Sequence, residues 1–140
     1  MSNFAKIEVG SPNSWTENSF PVGDITLPGK RFIKQDLGLH GCEMSINSLK
    51  PGEGMPALHR HKQNEEVYIF LQGTGQFIVD GEQFPVGPGS IVRVDPAGAR
   101  AWKNDGTTEL QFIVLQTDSK TEVAAGIVDG ELLGEPLTWA

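Results

Sequence analysis

The segment HRHKQNEEVYIFLQG, residues 59–73, carries the side chains best suited to chemistry. His59 and His61 are separated by one residue, and Glu65 and Glu66 precede an apolar run. In an extended segment, side chains two residues apart point to the same side, so the two imidazoles lie next to each other. Imidazole nitrogens and a carboxylate oxygen suit Zn, Fe, Ni, Mn or Cu, and three such ligands leave coordination positions open. The segment therefore predicts a site for a divalent transition metal ion.

Strand parity alone does not decide which glutamate belongs to this site. A strand that begins at Glu66 places Tyr68 and Phe70 on the same face as its carboxylate, and one loop residue more or less would put Glu65 there instead. The His-x-His pair taken alone also fits a solvated surface loop followed by a charged strand start. Both alternatives remain open at this point.

The elements around the site have the pattern of an all-β protein. The 17 glycines and nine prolines are spread between short apolar runs, as expected for many strands joined by tight turns. Asp80-Gly81 predicts a hairpin turn, because both residues tolerate positive φ. The run at 109–117 is nearly continuously apolar, which predicts a central strand. The other predicted strands lie in GCEMSINSLKPG and at 66–71, 76–80 and 91–94, within a sandwich or barrel of roughly eight to ten strands.

The two ends differ from this middle part. Residues 1–30 mix small and turn-forming residues with isolated aromatics, which predicts an irregular N-terminal arm. Residues 31–117 are expected to form the barrel. Residues 118–140 form a tail that contains Trp139, and we expect it to dock on the barrel or on a second subunit, because an exposed terminal Trp is a liability.

Length and charge exclude several classes of protein. The 140 residues suffice for one domain, and a net charge of −7 with scattered basic residues gives no surface for nucleic acid. No segment has the apolar length of a membrane span, and the first ten residues do not resemble a signal peptide, so we expect a cytoplasmic protein. The single cysteine, Cys42, cannot form an intramolecular disulfide, and we expect it to be a small buried hydrophobe.

The stretch GMPALHRHKQNEEVYIFLQG resembles the first motif of the cupin family. Four residues separate His61 from Glu66, and six separate Glu66 from Gly73, as in the family pattern. The family pattern has about five residues between a preceding glycine and the first histidine. Here four residues separate Gly54 from His59, and six separate Gly52 from it. The resemblance covers about residues 40–117 and selects Glu66 over Glu65. It implies an antiparallel double-stranded β-helix, or jelly-roll barrel, with His59, His61 and Glu66 as metal ligands.

The second cupin motif departs from the family pattern. The stretch GSIVRVDPAGARAWKNDG has no histidine where the family has its fourth ligand. Counting forward from Pro96 places Ala101 in that position, and counting back from Asn104 places Arg100 there, which we prefer. Arginine stays protonated and offers only donors, so it does not ligate metal. An inward Arg100 could bind a carboxylate or phosphate or pair with Glu66, and an outward, solvated Arg100 is the equal alternative.

Further polar residues are candidates for the wall of the site. Arg100, Tyr68 and Gln111 are the predicted substrate-binding residues, and Gln63 and Glu43 are additional candidates. Tyr68 could donate a proton or simply be packed, and Gln111 would have to face inward from its strand. The remaining histidine, His40, is expected at the surface or in a satisfied core position.

Two functions follow from these residues. The first is a metal-binding single-domain cupin that binds or transforms a small polar molecule inside the barrel, and the family resemblance implies dioxygenase or isomerase chemistry. The second is a metal-free cupin that binds an organic acid through Arg100, with the histidines as hydrogen-bond donors. The resemblance also implies a homodimer.

Overall fold

The computed structural model describes residues 2–139 and contains ten strands and two short helices. The predicted all-β architecture is confirmed, because the described helices are a 3-10 helix at Pro12–Glu17 and α1 at Lys34–Leu37. The strands are β1 (Ser19–Val22), β2 (Ile25–Pro28), β3 (Lys30–Phe32), β4 (Glu43–Leu49), β5 (Asn64–Gln72), β6 (Gly75–Val79), β7 (Glu82–Val86), β8 (Ile91–Val94), β9 (Arg100–Lys103) and β10 (Leu110–Asp118).

The strands form two main antiparallel sheets and a small hairpin. The larger sheet has the order β3-β4-β10-β5-β8, the smaller has the order β7-β6-β9, and β1 pairs with β2 alone. The predicted central position of the 109–117 run is confirmed, since β10 lies between β4 and β5. The hairpin predicted at Asp80-Gly81 is confirmed as well, because it joins β6 to β7 with φ values of 49° and 86°.

The two main sheets enclose an aromatic core. Tyr68 on β5 packs against Phe77 on β6 at a ring-centroid distance of 4.8 Å and against Trp102 on β9 at 5.1 Å. Phe70 and Phe112 stack on the larger sheet, with centroids 5.1 Å apart. Such pairs add about 0.5–1.5 kcal/mol each beyond the burial of their area. The core therefore fixes the spacing between the two sheets next to the site.

The first thirty residues are more regular than the sequence indicates. They contain the 3-10 helix and the hairpin β1-β2, and Trp15 packs with Ile33 and Ile46 on the outer face of the larger sheet. Strand β4 is consequently covered on both faces, and its Ser45 and Asn47 are buried although they are polar. Elements of four to six residues have no measurable periodicity, which is why the sequence predicted an irregular arm.

Beyond Ser119, whose N–H and hydroxyl donate to the Gln63 carbonyl oxygen, the C-terminal tail is exposed. Residues 118–139 are exposed along their whole length, and 86% of the surface of Trp139 is accessible. Docking on a second subunit therefore stays a prediction. Among residues 2–139, the structure has no helix with the length and apolar character needed to cross a membrane.

Gly29 joins the hairpin to the barrel at a point of close backbone approach. Its φ is +64°, its N–H donates to the Asn18 carbonyl oxygen, and its own carbonyl oxygen accepts from the Ser48 N–H. A Cβ at this position would overlap the backbone of Ser48. Glycine here lets the chain enter β3 directly and turns Lys30 toward the interior.

We expect Gly29→Ala to destabilise the protein much more than Gly23→Ala, its matched control. Gly23 has a similar φ of +58° but open space around it, so its substitution carries only the left-handed backbone cost of about 1–2 kcal/mol. The overlap with Ser48 should add roughly 1–3 kcal/mol at Gly29. Urea unfolding of both variants measures the difference, and equal midpoints would contradict the close approach.

Candidate metal centre

Backbone hydrogen bonds hold the His-x-His segment along β9. The His59 N–H donates to the Arg100 carbonyl oxygen at 3.1 Å, and the Arg100 N–H donates back to the His59 carbonyl oxygen at 2.9 Å. The His61 N–H donates to the Pro96 carbonyl oxygen at 3.0 Å. The segment is therefore extended, and both imidazoles point to the same side, as the sequence predicts.

The structure brings His59, His61 and Glu66 together. The Glu66 Oε1 atom lies 3.2 Å from His61 Nε2 and 4.0 Å from His59 Nε2, and the three ligand atoms lie within 4.8 Å of one another. Glu66 is buried on the inner face of β5, whereas its neighbour Glu65 faces the other way and is half-buried. The geometry thus joins Glu66, and not Glu65, to the two histidines.

Tyr68 lies beside Glu66 on the same face of β5. Its hydroxyl donates a hydrogen bond of 2.6 Å to Glu66 Oε1, and its side chain is fully buried. Burial, together with the adjacent Glu66 charge, raises the pKa of the Tyr68 hydroxyl far above its ordinary value. The phenol therefore keeps its proton and acts as a fixed donor that orients the carboxylate.

Arg100 points inward and has no exposed surface. Its Nη1 donates to the Gly98 carbonyl oxygen at 2.7 Å, and its Nη2 lies 3.4 Å from Glu66 Oε1. The Nε and Nη2 groups of Arg100 have no hydrogen-bond acceptor among residues 2–139. The outward alternative is thus wrong, and the position aligned with the missing histidine carries a fixed positive charge.

His59 is held in its neutral form. Its ring packs edge-on against Trp102 with centroids 5.3 Å apart. Burial lowers the pKa of His59 from its ordinary 6.5 to about 4; the attraction of Glu66 opposes this, and the charges of Arg100, His61 and Lys30 reinforce it. A neutral imidazole has the free electron pair that metal binding requires.

Lys30 is a site residue that sequence reasoning missed. Its ammonium donates to Ser45 Oγ and Asn47 Oδ1, both at 3.0 Å, and lies 4.9 Å from the centre of the Phe32 ring. Burial lowers the pKa of Lys30 to about 8, and nearby Glu66 and Glu43 oppose that shift. A lysine at the start of a three-residue strand leaves no periodic signal, so no sequence pattern selected it.

Gln111 does not line the site, and this prediction is wrong. The side-chain amide of Gln111 donates to Asn13 in the 3-10 helix at 3.0 Å and to Glu109 at 3.3 Å. The register of β10 against β5 shifts between Gln111 and Phe112, and it is Phe112 that joins the core. The inward positions of β10 belong to Leu110, Phe112 and Val114, so Gln111 faces the 3-10 helix, which the sequence did not predict.

The remaining candidates lie outside the histidine cluster. Gln63 and His40 are exposed, and Cys42 is only partly buried. Glu43 accepts hydrogen bonds from the backbone N–H groups of Lys34 and Met44, both at 2.9 Å. Glu43 therefore lines a cleft next to the centre without belonging to it.

The donor set fits a divalent transition metal ion. Ligands about 2.1 Å from a tetrahedral ion lie roughly 3.4 Å from one another. The pair His61 and Glu66 is close to this spacing at 3.2 Å, His59 lies wider at 4.0 Å from Glu66, and the three donor atoms lie within 4.8 Å of one another. These three residues could therefore hold an ion, and the side of Arg100 offers no fourth ligand.

Comparisons with known proteins match the barrel region of this chain. The family model described as a cupin domain, Cupin_2, matches residues 46–116. The oxalate-binding protein of Thermotoga maritima is 31% identical over 67 residues, which are 48% of this chain and 54% of that protein. The alignment thus spans about half the length of this curated relative.

Solved structures extend the likeness to nearly the whole chain. A cupin protein from Bacteroides fragilis is 29% identical with a TM-score of 0.77, covering 95% of this chain and 99% of that one. A predicted oxalate decarboxylase from Thermotoga maritima is 28% identical with a TM-score of 0.52, covering 54% of this chain and 64% of that one.

The lowered pKa of His59 predicts a pH-dependent stability. The unfolded chain takes up a proton at this histidine near pH 6.5, whereas the folded protein does so only near pH 4. The contribution is therefore fully present above pH 6.5 and is lost as pH falls toward 4. We expect urea unfolding midpoints, measured with a chelator between pH 4 and 7, to fall less steeply with acidification in His59→Gln. Parallel curves for both proteins would contradict the shift.

Proposed function

The chain belongs to the cupin family, and we propose that it is a metal-binding cupin that binds or transforms a small organic acid inside its barrel. The observation that carries this proposal is the convergence of His59, His61 and Glu66 within 4.8 Å on one side of the interior. Two imidazole nitrogens and a carboxylate suit Zn, Fe, Ni or Mn, and they leave positions open for a ligand.

The residues around the three metal ligands would hold the ligand side chains in the orientation that binds the ion. Tyr68 fixes the Glu66 carboxylate with its hydrogen bond of 2.6 Å, and Trp102 supports the His59 ring from the side. Such outer contacts orient ligands and tune their affinity. The bound ion would supply a Lewis acid, and a dioxygenase or isomerase reaction is the catalytic form of this proposal.

An organic acid is favoured because the interior carries positive charge. Arg100 is buried, its Nε and Nη2 groups have no hydrogen-bond acceptor among residues 2–139, and Lys30 lies in the same interior. A carboxylate can accept two parallel hydrogen bonds from a guanidinium. The oxalate-binding protein of Thermotoga maritima supports the same ligand class, although its alignment covers about half of either chain.

A second candidate function is a metal-free cupin that binds an organic acid. The observation that favours it is the distance of 3.4 Å between Arg100 Nη2 and Glu66 Oε1, because an internal cation there could neutralise the carboxylate without an ion. In that case the histidines would act as hydrogen-bond donors to the acid.

A homodimer and a cytoplasmic location are parts of the same proposal. The apolar side chains of the exposed tail, such as Leu132 and Trp139, would lose their contact with water against a second copy. The single Cys42 is compatible with a reducing compartment.

We expect Glu66→Gln to lose metal that the wild-type protein and Glu65→Gln retain. Both substitutions remove one carboxylate from β5, but only Glu66 faces the histidines. Changing a residue that merely orients a ligand already costs roughly 10- to 100-fold in metal affinity, so loss of a ligand should cost at least as much. Inductively coupled plasma mass spectrometry measures the content, with His61→Ala and the exposed His40→Ala as a second matched pair.

The same series decides between the two candidates. Metal retained equally by Glu66→Gln and Glu65→Gln would refute the metal centre. A wild-type protein that holds no metal after incubation with Zn, Fe, Ni and Mn would support the metal-free candidate. That candidate further expects Arg100→Met to weaken oxalate binding by at least tenfold in calorimetry, since a charge-assisted pair would be lost.

A further inference from the structure

A cleft of about 760 Å³ opens between the hairpin β1-β2 and the larger sheet. Its wall combines an aromatic pair, Phe20 and Phe32, whose ring centroids lie 4.7 Å apart, with the side chains of Lys30, Glu43 and Gln116. The metal centre itself does not line this space, but Gln116 pairs in register with both Glu43 and Glu66. The cleft therefore lies beside the centre, one strand away.

Lys30 and Lys34 both line this cleft without a salt bridge to a described residue, and Lys30 is the one whose ammonium is held inside it by hydrogen bonds. Its two hydrogen bonds go to the neutral oxygens of Ser45 and Asn47, and it forms no salt bridge with the carboxylates of residues 2–139. A charge taken out of water without a paired opposite charge is costly. An anion that enters the cleft from solvent would stabilise the Lys30 ammonium.

Glu43 and Glu66 do not supply that anion directly. Glu43 is engaged by the backbone N–H groups of Lys34 and Met44, and Glu66 accepts from Tyr68 and lies near His61 and Arg100. An ion bound at the metal centre would neutralise Glu66 further and leave Lys30 with still less compensation.

We propose that Lys30 is the carboxylate-binding residue of this cleft, and that the ligand is a carboxylic acid with an apolar or aromatic body. The ammonium would bind the carboxylate, and Phe20 with Phe32 would pack against the body. Oxalate has only two carbon atoms and would leave most of about 760 Å³ empty. This inference rests on the proposed function, because it assigns the ligand class of the same interior.

The position of Lys30 also connects the cleft with the metal centre. Its side chain and that of Glu66 lie on the same inner face of the larger sheet, with β4 and β10 between β3 and β5. The two groups thus share one electrostatic environment across the inner face of the sheet.

The test uses benzoate as the probe, with benzamide as its uncharged counterpart and acetate as the acid without an aromatic body. NMR titrations of the wild-type protein at pH 7 should show benzoate binding at least tenfold tighter than benzamide, and tighter than acetate. This comparison needs no variant, so it does not depend on how a substitution folds. Equal affinities for benzoate and benzamide would overturn the inference. The absence of benzoate binding at concentrations on the order of 50 mM, where even the weakest fragments bind, would overturn it as well.

Two lysine variants complete the test. Lys30→Met keeps the length of the side chain and removes the charge, and we expect it to weaken benzoate binding at least tenfold. Lys34→Met is the matched control, because Lys34 lines the rim of the same cleft, and its benzoate affinity should stay within about twofold of the wild type. Unchanged benzoate affinity in a folded Lys30→Met protein would refute the role of Lys30.

The failure of this inference can be told from the failure of the metal centre. Benzoate titrations are repeated after chelation, while metal content is measured separately. Binding that depends on Lys30 in a protein that takes up no metal would refute the metal centre alone. Metal retained in a protein whose benzoate binding ignores Lys30 would refute the cleft assignment alone.

Discussion

The buried carboxylate of Glu66 is the constraint on which the interior depends. Moving a carboxylate out of water costs several kcal/mol unless hydrogen bonds and opposite charges surround it. Here a phenol donates to it at 2.6 Å, an imidazole nitrogen lies 3.2 Å away and a guanidinium nitrogen 3.4 Å away. Each of these groups comes from a different place in the chain or a different position on β5, so the barrel must close correctly before the charge is compensated. Fold and site are therefore stabilised together.

The larger sheet divides its inner face between two kinds of environment. Tyr68, Phe70 and Phe112 belong to an aromatic half that contacts the smaller sheet, whereas Lys30, Asn47 and their neighbours form a polar half that faces the cleft. The aromatic half excludes water and fixes geometry, and the polar half leaves space beside the histidines. A covering of N-terminal residues on the outer face makes this possible, since Ile46 and Trp15 bury the side of the sheet that would otherwise face solvent.

Sequence reasoning succeeded where a local pattern has a local cause. The spacing of His59 and His61 predicted their common face because an extended chain alternates its side chains, whereas Glu66 was selected by the resemblance to the cupin motif. The inward direction of Arg100 stayed open in the sequence, because it depends on the pairing of its backbone with His59 across the barrel. Gln111 was misplaced because parity alone does not tell which alternate residues of β10 face inward, and Lys30 was missed because a glycine at close approach, not a periodic pattern, turns it inward. What the sequence could not supply are the contacts made between distant segments.

The backbone pairing that holds the His-x-His loop has a consequence for engineering. The loop is fastened to β9 by main-chain groups of residues 59, 61, 96 and 100, so its path does not rely on the imidazoles themselves. Side chains at 59 and 61 can then be exchanged while the anchor points of a ligand set stay in place. Aspartate at these positions would offer a hard oxygen ligand, and cysteine would offer a soft sulfur ligand. The type of metal ligand that the barrel presents can therefore be changed by substitution at two residues.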